Sequence, residues 1–237
     1  MEIIVFILCS IIGSFINVVA YSFPRKLDFL YRRSYCDYCL HTLSFIDMIP
    51  IFSYILLKGE CRYCHKQINR RYTIIELLCG CIGVLFYQSY EPIHFFVLFI
   101  FLMMIILISL IDLDTMYVYD EFIILLFVVS LFLYPYFKIT FTERVIGMLS
   151  LSLPMFLFNL YKEAFGGGDI KVFSVLGLLF GVQSVLCIFV YASLAASIYS
   201  FVLMYKKKLY LNSFIPFVPF ICFGVFCFIV FGNIFIK

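Results

Sequence analysis

Long runs of apolar residues, separated by short polar stretches, dominate this sequence. Seven such runs lie at 3–23, 73–88, 94–111, 121–137, 145–161, 170–205 and 214–236. A helix of about 20 apolar residues spans the roughly 30 Å hydrocarbon core of a bilayer. The sixth run is too long for one crossing, and Gly177, Gly181 and Gln183 predict a break that leaves helices at about 170–181 and 184–205. The pattern therefore predicts about eight transmembrane helices.

Composition supports an all-α polytopic membrane protein. Of the 237 residues, 65% are hydrophobic and 13% are charged, whereas globular chains are about half apolar and about a quarter charged. These values exclude an ordinary soluble domain, a disordered chain and a small disulfide scaffold. The lipid bilayer is therefore an expected partner, and a net charge of +3 gives no indication of nucleic-acid binding. No basic segment precedes the first run, so we expect a retained helix rather than a signal peptide.

The polar stretch at 24–72 divides the chain into a first transmembrane helix at 1–23, a loop, and a membrane core at 73–237. Lys and Arg are retained on the cytoplasmic side of membrane proteins. With the loop placed in the cytoplasm, fourteen of the seventeen Lys and Arg residues lie in or beside cytoplasmic segments. The three that remain outside are Lys138, Arg144 and Lys237. The charge bias therefore predicts a cytoplasmic loop and external termini.

Four of the ten cysteines form two pairs in this loop, Cys36-x-x-Cys39 and Cys61-x-x-Cys64. Two such pairs can each occupy one edge of a tetrahedral four-thiolate zinc site. The reducing cytosol disfavours disulfides. Because four thiolates leave no position for a water molecule, the predicted zinc would be structural. The alternative is a pair of reduced hairpins without metal, and the other six cysteines are interpreted as small buried hydrophobic residues.

Two aspartates are candidates for chemistry, because ionisable groups at membrane depth are costly and usually functional. Asp112 ends one apolar run, and Asp169 follows three glycines at the start of another. Both are predicted at cytoplasmic helix ends, where a carboxyl pair with one group ionised and one protonated could activate water. Asp114 lies about 200° around the helix from Asp112 and cannot share its face. Asp114, Asp120 and Glu121 are interpreted as solvated carboxylates.

Six motifs then follow one another along nearly the whole chain. They are Gly13-Ser-Phe-Ile-Asn17, the paired cysteines, Arg71-Tyr-x-x-x-Glu76, Ile111-Asp-Leu-Asp114, Gly166-x-Gly-Asp169-x-Lys171 and Pro216-Phe-x-Pro219. Their order resembles that of bacterial type IV prepilin peptidases. These enzymes are leader peptidases and N-methyltransferases, and they are intramembrane aspartic proteases of the GxGD kind.

The resemblance implies a multi-pass enzyme of the bacterial cytoplasmic membrane whose active site faces the cytoplasm. It would cut prepilins or pseudopilins after a short basic leader, with Asp112 and Asp169 as catalytic residues. Gly166, Gly168 and Lys171 would belong to the active-site loop. It also implies methylation of the new N-terminus with S-adenosylmethionine. The chain departs from the family at Val118-Tyr119-Asp120, where Leu-Pro-Asp is usual and the helix start could differ, and at Val218, where glycine is common.

Three alternatives remain at this point. An ion-coupled transporter would also use intramembrane carboxylates and helices broken by glycine, but it would leave the cysteine pairs unexplained. A non-enzymatic assembly protein with a zinc-stapled docking loop would tolerate the loss of either aspartate. A peptidase that does not methylate is the nearest alternative, since the sequence contains no glycine-rich nucleotide-binding motif.

Overall fold

The computed structural model describes residues 1–28, 33–36, 38–137, 139–162, 165–206 and 214–232. Within these ranges the chain is helical, and its extended structure is limited to two isolated bridges between Tyr35 and Thr42 and between Glu60 and Gln67. The α-helices are α1 (Glu2–Ser22), α2 (Phe52–Leu56), α3 (Arg70–Ser89), α4 (Pro92–Thr115), α5 (Asp120–Leu133), α6 (Phe141–Tyr161), α7 (Gly167–Tyr205) and α8 (Val218–Phe231). The prediction of an all-α polytopic chain is confirmed.

Five of these helices, α1, α3, α4, α6 and α7, are long and apolar enough to cross a membrane. Helices α5 and α8 are shorter, with 14 residues each, and both coincide with predicted apolar runs. Five charges that were used to predict the orientation lie outside the described residues: Arg32, Lys138, Lys207, Lys208 and Lys237.

The predicted break in the sixth apolar run lies at Gly181. This residue has φ 78° and ψ 179°, which divides α7 into two helical segments. A φ in this range is readily adopted by glycine and rarely by residues with a Cβ. Because a break inside a helix removes hydrogen bonds from the preceding turn, the carbonyl groups there need other donors.

Arg144, near the start of α6, supplies these donors. Its side chain is only 2% exposed, and its Nη1 donates to the carbonyl oxygens of Leu178 and Leu179 at 3.3 and 3.2 Å. Its Nη2 donates to the carbonyls of Tyr134 and Phe137 at 3.1 and 2.7 Å. From the sequence alone, Arg144 is predicted only as a loop charge. The structure instead buries it as a cap on the first segment of α7.

Backbone contact between α6 and α7 brings Arg144 to the break. A Cβ on Gly147 would lie 2.4 Å from the carbonyl oxygen of Gly177, and a Cβ on Gly177 would lie 2.2 Å from that of Gly147. No larger side chain fits at either position without movement of the backbone. Small residues at helix crossings allow this close approach in membranes, where van der Waals contact drives much of the packing.

The chain divides into two compact units, Met1–Phe99 and Ile100–Lys237. In the first unit α1 packs along α3, and the cysteine loop connects these helices. In the second unit α7 packs against α5, α6 and α8. The second unit contains both candidate aspartates, and the first contains the four cysteines of the loop.

We expect Arg144→Met to destabilise the protein. The substitution keeps much of the aliphatic volume but leaves buried carbonyl groups without their donor, at a cost of about 3 kcal/mol in the free energy of unfolding. Chemical denaturation in detergent micelles measures this loss. Arg70→Met is the matched control, because Arg70 is exposed at the start of α3. Equal stability of the two variants would contradict the capping role.

Candidate active site and metal centre

Asp112 lies in the last turns of α4, next to the first residue of α8. Its side chain is 6% exposed, and one carboxylate oxygen accepts a hydrogen bond from the backbone N–H of Val218 at 3.2 Å. Pro219 follows and has no N–H to offer. The N-terminus of α8, where the helix dipole favours negative charge, therefore faces this carboxylate. Asp114, two residues along, is exposed, as its position around the helix predicted.

Asp169 is the third residue of α7 and is half-buried. The backbone N–H of Gly166, the residue that precedes the helix, donates to its carboxylate. A Cβ on Gly166 would lie 2.9 Å from Oδ2 of Asp169, so a side chain there would displace the carboxylate. A Cβ on Gly168 would lie 2.5 Å from the Cβ of Val118, whereas one on Gly167 would contact nothing within 4 Å. At two of these three positions, Gly166 and Gly168, there is thus no room for a side chain.

The fold brings Asp112 and Asp169 close enough for their charges to interact. The two residues are far apart in sequence, and they meet because the end of α4, the start of α7 and the start of α8 lie together in one unit. Each carboxylate accepts a hydrogen bond from the N–H at a helix start. Both aspartates are therefore oriented by backbone groups.

Lys171, on the first turns of α7, forms an ion pair with Asp120 at the start of α5. Their side chains are 51% and 62% exposed, respectively. The sequence predicts Asp120 only as a solvated carboxylate and does not indicate this partner. Helix α5 begins at Asp120, with Tyr119 as the capping residue, so the unusual Val118-Tyr119-Asp120 still supports a helix start. The pair links the start of α5 to the glycine turn that carries Asp169.

The four loop cysteines come together as the sequence predicted. The sulfur atoms of Cys36, Cys39, Cys61 and Cys64 all lie within 4.8 Å of one another, and those of Cys36 and Cys64 are 3.8 Å apart. A tetrahedron with metal–sulfur bonds of about 2.3 Å has edges of about 3.8 Å. The cluster could therefore hold a metal ion with four thiolate ligands.

The two cysteine pairs are built by the same backbone turn. In the first, the N–H of Cys36 donates to the carbonyl of His41, and the N–H of Leu40 donates back to the carbonyl of Cys36 at 2.8 Å. In the second, the N–H of His65 donates to the carbonyl of Cys61 at 2.9 Å. Leu40 and His65, each one residue after a second cysteine, have φ of 57° and 56°. This repeat presents both pairs of sulfurs in a similar geometry.

The thiols of this cluster differ in their affinity for protons. Burial raises the pKa of Cys36, but hydrogen bonds from the backbone of Cys39 and Tyr38 and from neighbouring thiols lower it to about 7. A backbone hydrogen bond from Lys66 lowers the pKa of Cys64, yet burial and the neighbouring sulfurs raise it to about 11. Four sulfurs this close do not all ionise unless a cation compensates the charge, which is what a metal supplies.

A buried carboxylate anchors the second cysteine pair. Arg62, between Cys61 and Cys64, donates through Nε to Oδ1 of Asp47 at 2.7 Å, and the Asp47 side chain is only 3% exposed. Burial raises the pKa of Asp47, but hydrogen bonds from Ser44 and Arg62 outweigh this effect and hold the pKa below its ordinary value. Asp47 thus stays ionised and ties the cysteine turn to the preceding part of the loop.

One further buried acid has no role that the sequence predicts. Glu76 on α3 is 8% exposed, and its Oε2 accepts a hydrogen bond from the N–H of Ile51 at 2.9 Å. Its position in the sequence could have indicated a role, because Glu76 is an acidic residue inside the predicted apolar run at 73–88. Asp112 was selected for a similar reason, since it lies at the end of an apolar run. The role of Arg144 is harder to predict, because no residue near it in the sequence indicates the break at Gly181 that it caps.

Comparison with known proteins gives two family matches. Residues 7–90 match the Bacterial Peptidase A24 N-terminal domain, and residues 97–201 match the Type IV leader peptidase family. A prepilin leader peptidase/N-methyltransferase from Vibrio cholerae is 31% identical over 231 residues, which cover 85% of this chain and 87% of the relative. A protein of the same name from Bacillus subtilis is 29% identical, with 93% and 90% covered. No solved structure matches the chain.

We expect purified protein to contain about one zinc ion per chain. Cys36→Ser and Cys64→Ser should each lose most of this metal and unfold at a lower temperature, because closed thiolate sites contribute folding free energy directly. Elemental analysis and thermal unfolding measure the two effects. Cys81→Ser, at an exposed cysteine of α3, should retain the metal. A metal-free wild-type protein of undiminished stability would refute the zinc assignment.

The glycine turn before Asp169 predicts opposite effects of neighbouring substitutions. Gly168→Ala should lower the free energy of unfolding by about 1–3 kcal/mol, because its Cβ overlaps Val118. Gly167→Ala should be neutral or stabilising by up to about 1 kcal/mol, since its Cβ points into open space and alanine favours helix. Denaturant unfolding of both variants tests this contrast. A stable Gly168→Ala protein would contradict the described packing.

Proposed function

The chain belongs to the type IV leader peptidase family, and on this basis we propose that it removes the leader from prepilins or pseudopilins and methylates the new N-terminus. The cut would be made by an aspartate-activated water at the cytoplasmic face of the bacterial cytoplasmic membrane. Family membership also removes the basis for the transporter and scaffold alternatives. A peptidase without methylation remains the alternative to test.

The observation that carries the peptidase proposal is the meeting of Asp112 and Asp169. They lie at helix ends in membrane-spanning segments, their charges interact, and backbone N–H groups hold each carboxylate. A pair of this kind can keep one carboxyl ionised while the other retains its proton. The ionised group accepts a proton from water, and the protonated group supplies one to the departing amine.

Peptide hydrolysis by this pair needs no covalent intermediate. The water oxygen bonds to the scissile carbonyl carbon, the C–N bond breaks, and the leader leaves as a carboxylic acid. The nitrogen of the pilin receives a proton and becomes the new N-terminus. Because both aspartates are fixed by the backbone, their orientation is set before substrate binds, which lowers the entropic cost of the attack.

The membrane arrangement proposed here has eight crossings. They are formed by α1, α3, α4, α5, α6, the two segments of α7, and α8. Residues 24–72 would then form a cytoplasmic zinc loop between the first transmembrane helix, at 1–23, and an aspartic protease core at 73–237. A basic leader would meet anionic lipid headgroups at the inner leaflet, and the apolar pilin helix would lie in the bilayer.

Two cofactors belong to this proposal. The four-sulfur cluster of the loop fits zinc in geometry and in donor type, and it would stabilise the loop without taking part in hydrolysis. S-adenosylmethionine would supply an activated methyl group for the new N-terminal amine. Gly166 and Gly168 would keep the Asp169 turn open, and Lys171 would fix that turn to α5 through its pair with Asp120.

We expect Asp112→Asn and Asp169→Asn each to reduce leader removal by at least about 100-fold, because an amide can neither take the proton nor return it. Mass spectrometry of the N-terminus of a co-expressed pilin reports cleavage and methylation together. The two substitutions should act as a unit, so the double variant should be no worse than either single variant.

Asp114→Asn is the internal control, since Asp114 is exposed and lies on another face of α4. It should cleave at close to the wild-type rate at matched expression. Methylation of a pre-cleaved pilin should persist in all three variants. Efficient cleavage by Asp112→Asn or Asp169→Asn would end the aspartic-protease proposal. Loss of cleavage in Asp114→Asn alone would show that Asp114, and not Asp112, is the catalytic aspartate of α4.

A further inference from the structure

The polar loop contains an apolar segment at 45–57. Asp47 is its only charged residue, and the Asp47 side chain is 3% exposed and binds Arg62 within the loop. Six apolar side chains of this segment are between 42% and 83% exposed: Phe45, Ile46, Ile49, Phe52, Ile55 and Leu56. So many exposed apolar side chains in one short stretch are typical of a surface that contacts a membrane or another protein.

The apolar segment has an inner and an outer face. On the inner face, Met48, Pro50, Tyr54 and Leu57 border a cavity of about 760 Å³ that is also lined by residues of α1 and α3. The six exposed apolar residues, all in the described part of the loop, do not line this cavity. They form the outer face, which is directed away from the cavity.

A strained turn and a buried acceptor fix the apolar segment to α3. Ile51 has φ 63° and ψ −50°, a conformation that β-branched residues rarely adopt. The N–H of Phe52 donates across this residue to the carbonyl of Pro50, and such a tight turn persists only where its surroundings hold it. The N–H of Ile51 donates to Oε2 of the buried Glu76 at 2.9 Å, which supplies this restraint.

The contact with Glu76 also gives the position of the segment along α3. Helix α3 begins at Arg70, and Glu76 is its seventh residue, so Ile51 lies beside a point about 9 Å from the start of the helix. At this level Ile74 and Leu77 are 53% and 45% exposed and would contact lipid in the proposed membrane arrangement. Interfacial segments bury an apolar face about 5–10 Å into the boundary between headgroups and acyl chains. The two depths agree.

Exposed basic residues lie near the apolar segment in sequence and at the helix ends that carry the loop. Lys58 follows the segment directly, Arg70 begins α3, and Arg25 and Lys26 follow α1. Anionic lipid headgroups attract basic residues at a membrane surface. An anionic leaflet offers negative charge and apolar chains side by side over its whole area, so it complements both features of this region.

We propose that the apolar segment is an interfacial anchor, whose outer face inserts into the cytoplasmic leaflet and holds the cysteine loop against the membrane. The partner is the anionic phospholipid surface itself. The inference rests on the proposed membrane arrangement, in which α3 crosses the bilayer and the loop lies in the cytoplasm. It adds to that arrangement a membrane contact made by a loop whose sequence is otherwise polar.

The anchor also bears on the position of the sulfur cluster. Asp47 belongs to the apolar segment, and its carboxylate binds Arg62, which lies between Cys61 and Cys64. The second cysteine turn is therefore attached to the same segment that contacts lipid. Insertion of the outer face thus sets the distance between the four sulfurs and the surface of the leaflet.

Tryptophan fluorescence tests the anchor, because the chain contains no tryptophan of its own. Ile55→Trp places one indole ring on the outer face, at a position that is 67% exposed. The full chain is reconstituted in nanodiscs of phosphatidylglycerol and phosphatidylcholine, with and without bromine on the acyl chains. Bromine quenches indole rings that reach the acyl chains, so we expect brominated lipid to lower the fluorescence at least about twofold.

Tyr38→Trp is the matched control. Tyr38 is also 67% exposed, but it lies between the first pair of cysteines, and Nζ of Lys66 is 5.7 Å from the centroid of its ring. Because a lysine ammonium stays in water, we expect brominated lipid to change this fluorescence by less than about 10%. Soluble acrylamide should quench it instead. Thermal unfolding at the wild-type temperature shows that each substitution leaves the fold intact.

Leu78→Trp separates the anchor from the membrane arrangement on which it rests, because Leu78 is 47% exposed on α3 itself. Quenching of Ile55→Trp and Leu78→Trp, but not of Tyr38→Trp, supports the anchor. Quenching of Leu78→Trp alone would overturn the anchor and leave the membrane arrangement standing. If none of the three is quenched, α3 does not cross the bilayer and both proposals fail.

Two further outcomes would overturn the anchor. Equal quenching of all three variants would show that the outer face has no particular contact with lipid. Emission from Ile55→Trp at a short wavelength, without quenching by brominated lipid or by acrylamide, would show that protein covers the outer face. The partner would then be a second copy of the chain or another polypeptide rather than the leaflet.

Discussion

The need to satisfy every backbone polar group inside the membrane governs this structure. Helix ends and breaks leave N–H and carbonyl groups without partners, and hydrocarbon offers none. The break at Gly181 is balanced by Arg144, whose guanidinium donates to the carbonyls of Leu178 and Leu179. At other helix ends the donors are N–H groups, and these are satisfied by Asp112 and Asp169. The proposed catalytic carboxylates thus also serve as helix caps.

Buried acidic groups also accept hydrogen bonds from donors in the polar loop. Glu76, buried in α3, accepts the N–H of Ile51 just before the short helix α2. Asp47 binds Arg62, which lies between Cys61 and Cys64 of the sulfur cluster. Glu76 therefore ties the loop to α3, Asp47 ties two parts of the loop to each other, and the four sulfurs lie where the two cysteine turns meet. A cavity with a carboxylate in its wall results from this arrangement.

Local spacing predicted much of this structure from the sequence. The apolar runs predicted the helices, and Gly177, Gly181 and Gln183 predicted the break near Gly181. The two cysteine pairs predicted the four-sulfur cluster. The different burial of Asp112 and Asp114 followed from helical geometry. The partners of Arg144, Lys171 and Glu76 could not be predicted in this way. Each partner lies in another segment of the chain, and a tertiary contact of this kind leaves no trace in the spacing of one segment.

The break at Gly181 also makes the first segment of α7 short. From Gly167 it has room for about 14 residues, or about 21 Å of helix, against a hydrocarbon core of about 30 Å. In the proposed membrane arrangement, local thinning of the bilayer is one way to accommodate this hydrophobic mismatch. The lipid around the start of α7 would then form a shallow depression through which water reaches Asp169. Under the proposed function, membrane thickness would then be a variable that controls the supply of a reactant.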